Sequence, residues 1–293
     1  MSSRASNIQH QLFEYPGDHS YLIYNITSRV EQPELLLPHW HEELEIAYAY
    51  SRAIHKIDGE AVRAFPGQLI ITNPESIHSI IPEPDTSHCD LASVVLLLSA
   101  PFLEANLPDY RSICFINPDT PPSYEIRTIM DKLSEFSRWS SYQQTDSLYA
   151  HGLILQLLAL LCQQRSVPRS QIDSPRGLRK SERLKNILQF VEEHYQEPIL
   201  LSDVAKQNYF NPEYFSRYFK QKTGISFSQY LRQYRVQMAR KLLIHSEQSI
   251  LEIALENGFS DERGLIKAFR QQYGVTPLQY RKKIQSPDSR LDE

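Results

Sequence analysis

The 293-residue chain has few cysteines: Cys89, Cys114 and Cys162, an odd total with no CxxC spacing. That excludes a disulfide framework of the kind that staples small secreted domains, and it points to a reducing compartment. Long apolar runs are also scarce. The longest, from Leu153 to Cys162, is too short to span a bilayer and is interrupted by Gln156. No signal-peptide pattern opens the chain, so the expected location is the cytoplasm. The first part of the chain also lacks positive charge. Residues 1–179 carry 13 Lys and Arg against 21 Asp and Glu, net −8, whereas residues 180–293 carry 18 against 14, net +4. A basic C-terminal part inside an acidic whole fits a phosphate-binding module joined to one that binds no phosphate. The length suits two domains, each large enough for its own core.

The basic part contains an internal duplication. The segment Phe219 to Tyr230 returns fifty residues later as Phe269 to Tyr280, with five of twelve positions identical. In each copy a glycine, Gly224 or Gly274, stands where a helix must end in a left-handed residue, and Ile225 or Val275 follows as the apolar contact. Ser226 with Gln229, and Thr276 with Gln279, are spaced as capping boxes, and Pro277 takes the favoured first helical position. Upstream of each copy a short helical segment, a tight turn (Tyr209 to Asn211, Gly258 to Ser260) and a second helix spell helix-turn-helix.

The segments Leu201 to Asn208, Asn211 to Lys220, Ile253 to Ser260 and Gly274 to Arg281 resemble the AraC/XylS family of bacterial transcription regulators. The resemblance covers about 105 residues, where caps, turns and duplication agree. It implies two helix-turn-helix units joined by a connecting helix, here expected from Ser228 to about Ile244. Helix geometry leaves Glu213, Ser216, Arg217 and Lys220 outward on the first recognition helix, and Glu262, Arg263, Ile266, Lys267 and Arg270 on the second. The resemblance places base-reading positions on Glu213, Ser216, Arg217, Glu262, Arg263, Ile266 and Lys267. Arg217 or Arg263 suits guanine, Glu213 or Glu262 a cytosine amino group, and Ile266 a thymine methyl. Each has the alternative of a phosphate contact or a solvated side chain. Arg232, Arg235, Arg240, Lys241, Arg281, Lys282 and Lys283 form a basic set, some of which should lie on phosphates. Gly264 departs from the family pattern and weakens its helix.

Residues 20–120 read as short strands punctuated by Pro and Gly, which suits a small barrel or sandwich. Helices are expected over roughly 123–138, with Ile126, Ile129, Met130, Leu133 and Phe136 on one face, and over roughly 143–163. The second is apolar around most of its circumference, so a homodimer contact is expected there, with Leu157→Glu plus Leu161→Glu yielding monomers. Gln163 to Leu178 is polar, has two prolines and no apolar period, and reads as a linker.

Two histidines alternating in one extended run, His39 and His41, share parity with Glu45, and His78 follows after a Pro66-Gly67 turn. This resembles the two motifs of the cupin barrel, in which three histidines and a glutamate hold a divalent metal. The glycine that ends the first motif is replaced by Tyr50, Ser51 and Arg52. Three readings stand side by side: a metal-free polar cluster, a contact surface for an organic effector, or a site for Zn²⁺, Fe²⁺ or Mn²⁺. The expectation is an effector pocket of His39, Trp40, His41, Glu45, Tyr48 and His78, with no metal and no cofactor. His55, His151 and His194 read as ordinary surface or core residues.

The expected fold is multidomain. A cupin-like β-barrel with two flanking helices (1–165) senses an effector and dimerises, a linker follows (166–179), and an all-α double helix-turn-helix domain (180–285) binds DNA. The expected function is sequence-specific transcription regulation under a small-molecule effector, with operator DNA, a second copy and RNA polymerase as candidate partners. It is not expected to be an enzyme; the alternative is a metal-dependent cupin enzyme or a metal sensor.

Overall fold

The β-branched runs of the N-terminal half form strands in the computed structural model, which describes residues 20–27, 36–83, 91–136, 144–172 and 175–285. The first eight are β1 (Tyr21–Thr27), β2 (Leu36–His39), β3 (Leu44–Ala49), β4 (Ala53–Ile57), β5 (Glu60–Ala64), β6 (Leu69–Thr72), β7 (His78–Pro82) and β8 (Leu91–Leu98). They make two four-stranded antiparallel sheets, in the orders β1-β8-β3-β6 and β2-β7-β4-β5.

Strand parity assigns the side chains of the first sheet to two different cores. Leu44, Ile46 and Tyr48 of β3 join Leu96 and Leu98 in a cluster completed by helices α1 (Ala100–Asn106), α2 (Tyr124–Phe136) and α3 (Gln144–Gln164). Ala47 and Ala49 join Ile70, Val95 and Leu97 with residues of the second sheet, Ala64 among them. β3 is therefore buried at every position, which explains why its sequence is apolar with little alternation.

α2 buries Ile126, Ile129, Met130, Leu133 and Phe136, the face the spacing predicts. α3 corrects the expectation for its leucines. Leu153, Ile154, Leu157, Leu158 and Leu161 belong to the domain's own core, Leu157 and Leu161 being fully buried. Leu148, at 74% exposure, together with Tyr149 and Leu155, is left outside. Apolar count alone could not say which side the core takes. A carboxylate at Leu157 or Leu161 would be buried unpaired, so that pair would unfold the domain rather than separate two chains.

The polar stretch expected to be an irregular linker carries structure over most of its length. Gln163 and Gln164 end α3; β10 (Ser166–Pro168) pairs with β9 (Ile113–Phe115); a 3₁₀ turn covers Arg169–Gln171; and α4 (Pro175–His194) begins soon after. A strand held by backbone hydrogen bonds needs no apolar period, so composition was a poor guide there. By its contacts the chain falls into two units, Met1–Glu182 and Arg183–Glu293.

The second unit is helical. α5 (Leu201–Gln207) and α6 (Pro212–Thr223) form the first helix-turn-helix, α7 (Phe227–His245) connects, α8 (Ile250–Glu256) and α9 (Glu262–Tyr273) form the second, and α10 (Pro277–Gln285) follows. The caps are those the sequence specifies. The Asn211 side chain accepts from the N–H groups of Glu213 and Tyr214, and Ser226 accepts from Gln229 N–H. Thr276 and Gln279 cap each other reciprocally. Gly224 and Gly274 end α6 and α9 at φ 85° and 71°. Among the described residues no helix is long and apolar enough to cross a membrane.

Candidate nucleic-acid interface and ligand site

Each recognition helix is amphipathic, and its inner stripe fixes what its outer stripe presents. α6 buries Phe215, Tyr218 and Phe219, which leaves Glu213, Arg217 and Lys220 exposed and Ser216 half-buried. α9 buries Leu265, Ala268 and Phe269, leaving Glu262, Arg263, Lys267 and Arg270 exposed and Ile266 half-buried. All nine side chains expected at the DNA surface thus stand on the outer sides of these two helices. Arg263, Ile266, Lys267, Arg270 and Gln271 line one groove. Gln271 went unnoticed in the sequence because a glutamine at the edge of a helical stripe gives no signal.

The basic set expected on phosphates divides in two. Arg235 donates to the carbonyls of Tyr195 and Glu197, both at 2.7 Å. Arg281 donates to the carbonyls of Leu243 and Gln248, and Arg240 lies over the rings of Tyr273 and Tyr280. These three arginines hold the domain together, and burial lowers the pKa of Arg235. Arg232, Lys282 and Lys283 remain exposed. Sequence spacing could not separate a guanidinium that ties carbonyls from one that meets a phosphate.

In the N-terminal unit His39, His41, Glu45 and His78 come together, all buried. The route differs from the single alternating strand expected. His39 ends β2, His41 lies in the connection, and Glu45 is on β3 of the other sheet; His78 is the cross-strand partner of His39. The His39 and His78 ring centroids are 4.0 Å apart, those of His41 and His78 4.8 Å. Glu45 Oε2 lies 3.3 Å from His41 Nε2 and 3.6 Å from His78 Nε2.

Burial alone would push the Glu45 carboxyl up, but hydrogen bonds and charge from His41 and His78 hold it well below the usual carboxylate range. Burial lowers the His78 pKa, but its hydrogen bond to Glu45 and that carboxylate's charge reverse this, and the net shift is upward. Burial, reinforced by its two histidine neighbours, pushes His39 well below its ordinary value. His55, on β4, is buried nearby and burial lowers it to about 4.

Tyr48 is a correction to the expected pocket. It lies on the opposite face of β3 from Glu45, in the helix-covered cluster, its ring 5.2 Å from that of Tyr50. Positions 45 and 48 differ in parity, so one strand cannot aim both at the same cavity. Trp40 is half-buried between the two histidines in sequence. Glu43 is a residue the sequence reading missed: its Oε2 stands 3.5 Å from His41 Nδ1.

A family model described as an AraC-like ligand binding domain matches residues 26–158, and one described as a helix-turn-helix domain matches residues 204–283. The regulatory protein PocR of Salmonella typhimurium is 41% identical over 102 residues, 35% of this chain and 34% of PocR, so the chain spans about a third of that relative. An uncharacterized HTH-type transcriptional regulator of Bacillus subtilis, YdeC, is 26% identical over 257 residues, 83% of this chain and 85% of that one. The crystal structure of the C-terminal domain of the two-component response regulator yesN from Fusobacterium nucleatum is 35% identical. It covers 34% of this chain and 98% of that one, with a TM-score of 0.33.

Proposed function

The chain belongs to the AraC-type DNA-binding transcription regulators, and from that premise we propose that it reads one operator with both recognition helices under control of a ligand held in its N-terminal barrel. One observation carries the reading. Two separately capped helices, α6 and α9, each bury an apolar stripe and present a polar, largely basic one, as major-groove readers require. Arg217 and Arg263 are the side chains assigned to guanine, Glu213 and Glu262 to cytosine, Ile266 to a thymine methyl, and Ser216 and Lys267 to neighbouring bases. Lys220, Arg270, Arg232, Lys282 and Lys283 supply phosphate contacts. The ligand site is built by His39, His41, Glu45 and His78 beside Trp40, in the cytoplasm where the DNA is. The matching family models, a ligand binding domain and a helix-turn-helix domain, account for both domains as parts of a regulator.

The working form is a homodimer joined through the outer face of α3, where the adjacent Leu148 and Tyr149 are exposed and Leu155 follows about two turns on. Leu148→Glu with Leu155→Glu should give folded monomers by light scattering and weaken operator binding; an unchanged mass places the contact elsewhere. RNA polymerase is the further partner at the promoter. Genomic footprinting with and without candidate metabolites tests the whole reading. Discrete protected sites whose occupancy changes with one metabolite support it, and uniform protection of all DNA contradicts it.

A further inference from the structure

The segment that leads from the barrel toward α4 is fastened by little. No residue of β10 or of the 3₁₀ turn Arg169–Gln171 is buried, and Ile172 after them is 54% exposed. Pro168, at the end of β10, has no N–H to give the ladder. What remains is backbone pairing of Ser166 with Phe115, Val167 with Cys114 and Pro168 with Ile113, extended by Ile116 N–H donating to the Arg165 carbonyl at 2.9 Å. Ser166 Oγ adds a bond to the Cys162 carbonyl at 2.6 Å. A two-stranded pairing this short is marginal by itself.

β9, by contrast, is fixed to the barrel along its other edge. The Asn73 side chain donates to the Phe115 carbonyl and accepts from the Phe115 N–H, both at 2.8 Å. Asn117 does the same for Ile71 of β6, at 2.8 and 2.7 Å. Two side-chain amides thus carry the sheet from β6 to β9, whose Cys114 and Phe115 are buried.

At the hinge between α3 and β10 stands a charge with no opposite partner. Arg165 is 3% exposed, its Nη2 donates to the Thr120 carbonyl at 2.9 Å, and its Nη1 is buried without a hydrogen-bond partner. Among the described residues no carboxylate pairs with it, and burial is what lowers its pKa. A guanidinium out of water with an unmet donor opposes the closed arrangement, and it regains its water when β10 lifts away.

We propose that Ser166–Gln171 is a releasable strap on the barrel, held by weak pairing and opposed by the uncompensated charge of Arg165, and that its release lengthens the tether of the DNA-binding domain. Its six residues, extended, add about 20–22 Å of reach. In a dimer two straps add about 40 Å, more than the roughly 34 Å of one duplex turn. The use of that reach on DNA rests on the regulator and homodimer readings above, whereas the strap itself does not.

The test is hydrogen exchange of the full chain, read by mass spectrometry over residues 166–172 against β8. The strap should exchange at least a hundredfold faster than β8 in the parent and at least tenfold more slowly in Arg165→Met than in the parent. Arg165→Lys keeps the charge and should exchange as the parent does. Val167→Cys, with Cys89→Ser and Cys162→Ala, tests the strap without touching Arg165, because cross-strand neighbours lie within the span of a disulfide, here to Cys114. Oxidation should slow exchange of the strap and reductant should restore it. On two copies of the selected operator set ten base pairs beyond the preferred spacing, the oxidised chain should bind at least tenfold more weakly than the reduced one, with equal binding at the preferred spacing. Strap exchange as slow as that of β8 in the parent, or unchanged in a folded Arg165→Met, overturns the proposal. Equal binding of both redox forms at both spacings overturns its control of reach. A chain that binds no operator in either form sinks the regulator reading, and exchange still judges the strap.

Discussion

The two helix-turn-helix units make the same turn from different residues. In the first, Asn208 ends α5, Tyr209 sits at φ 58°, and Phe210 N–H reaches the Ala205 carbonyl. In the second, Asn257 ends α8, Gly258 sits at φ 76°, and Phe259 N–H reaches the Ala254 carbonyl. Both asparagines donate to the carbonyl four residues back. Yet the second turn is one residue longer before its cap, Asp261 in place of Asn211. The cores differ as well: the rings of Phe210, Phe215, Phe219 and Phe227 pack in a chain in the first, the first pair stacked and the others edge-to-face, whereas Leu243, Ile253, Leu265 and Ala268 join Phe269 in the second. Duplication preserved the backbone path while the residues enforcing it diverged.

The largest contrast should appear at the two left-handed turn residues. Tyr209 is 87% exposed, so its side chain packs against nothing that its loss would disturb. A Cβ on Gly258 would stand 2.7 Å from the Tyr195 carbonyl oxygen and 2.8 Å from that of Gln196, at a φ that alanine resists. Gly258→Ala should therefore cost about 3 kcal/mol in urea unfolding, and Tyr209→Ala less than about 0.5 kcal/mol. Equal losses would erase the distinction between the turns.

A smaller effect concerns Glu192, on α4. Burial first, and then Glu193, raise its carboxyl to about 7, against a pull from Lys241. Its folded pKa exceeds its unfolded one, so the folded state binds more protons between them, and stability should fall as pH rises from about 4.5 through 7. Solvent screening at this half-buried site leaves about 1 kcal/mol. Glu192→Gln should remove that pH dependence and raise Tm at pH 8; an unchanged profile would show the carboxyl ionised throughout.

Smaller still is the effect at Gly264, inside α9. A Cβ there meets only Asp261 Oδ1 and Phe259 at 3.5 Å, ordinary contact. Gly264→Ala should stabilise by about 0.5–1 kcal/mol. If it also tightens operator binding, the second unit is limited by its helix rather than by its contacts.

The helical domain was legible nearly in full because its signals are local. Asn211, Gly224, Ser226, Gly274 and Thr276 act within a turn of where they stand, and duplication repeated the message. The strands were legible as strands, but their partners were not. His39 and Glu45 share parity in sequence yet lie on different sheets, a crossing that no period reveals. Tyr48 was misplaced, although its parity against Glu45 was already in the sequence. The burial of Leu157 and Leu161, and the internal ties of Arg235 and Arg281, depend on residues 33 or more positions away or on neighbouring elements. Such long-range choices leave no local trace.

The central claim, that both recognition helices read bases of one site, is tested most directly by operator affinity at fixed salt for the parent chain, Arg217→Ala and Arg263→Ala, each against the selected site and its single-base variants. The account predicts a loss of about 1–3 kcal/mol for each substitution on the best site, with preference relaxed at one base pair, a different one for each arginine. Uniform weakening across all sequences, or no loss for either arginine, would contradict it.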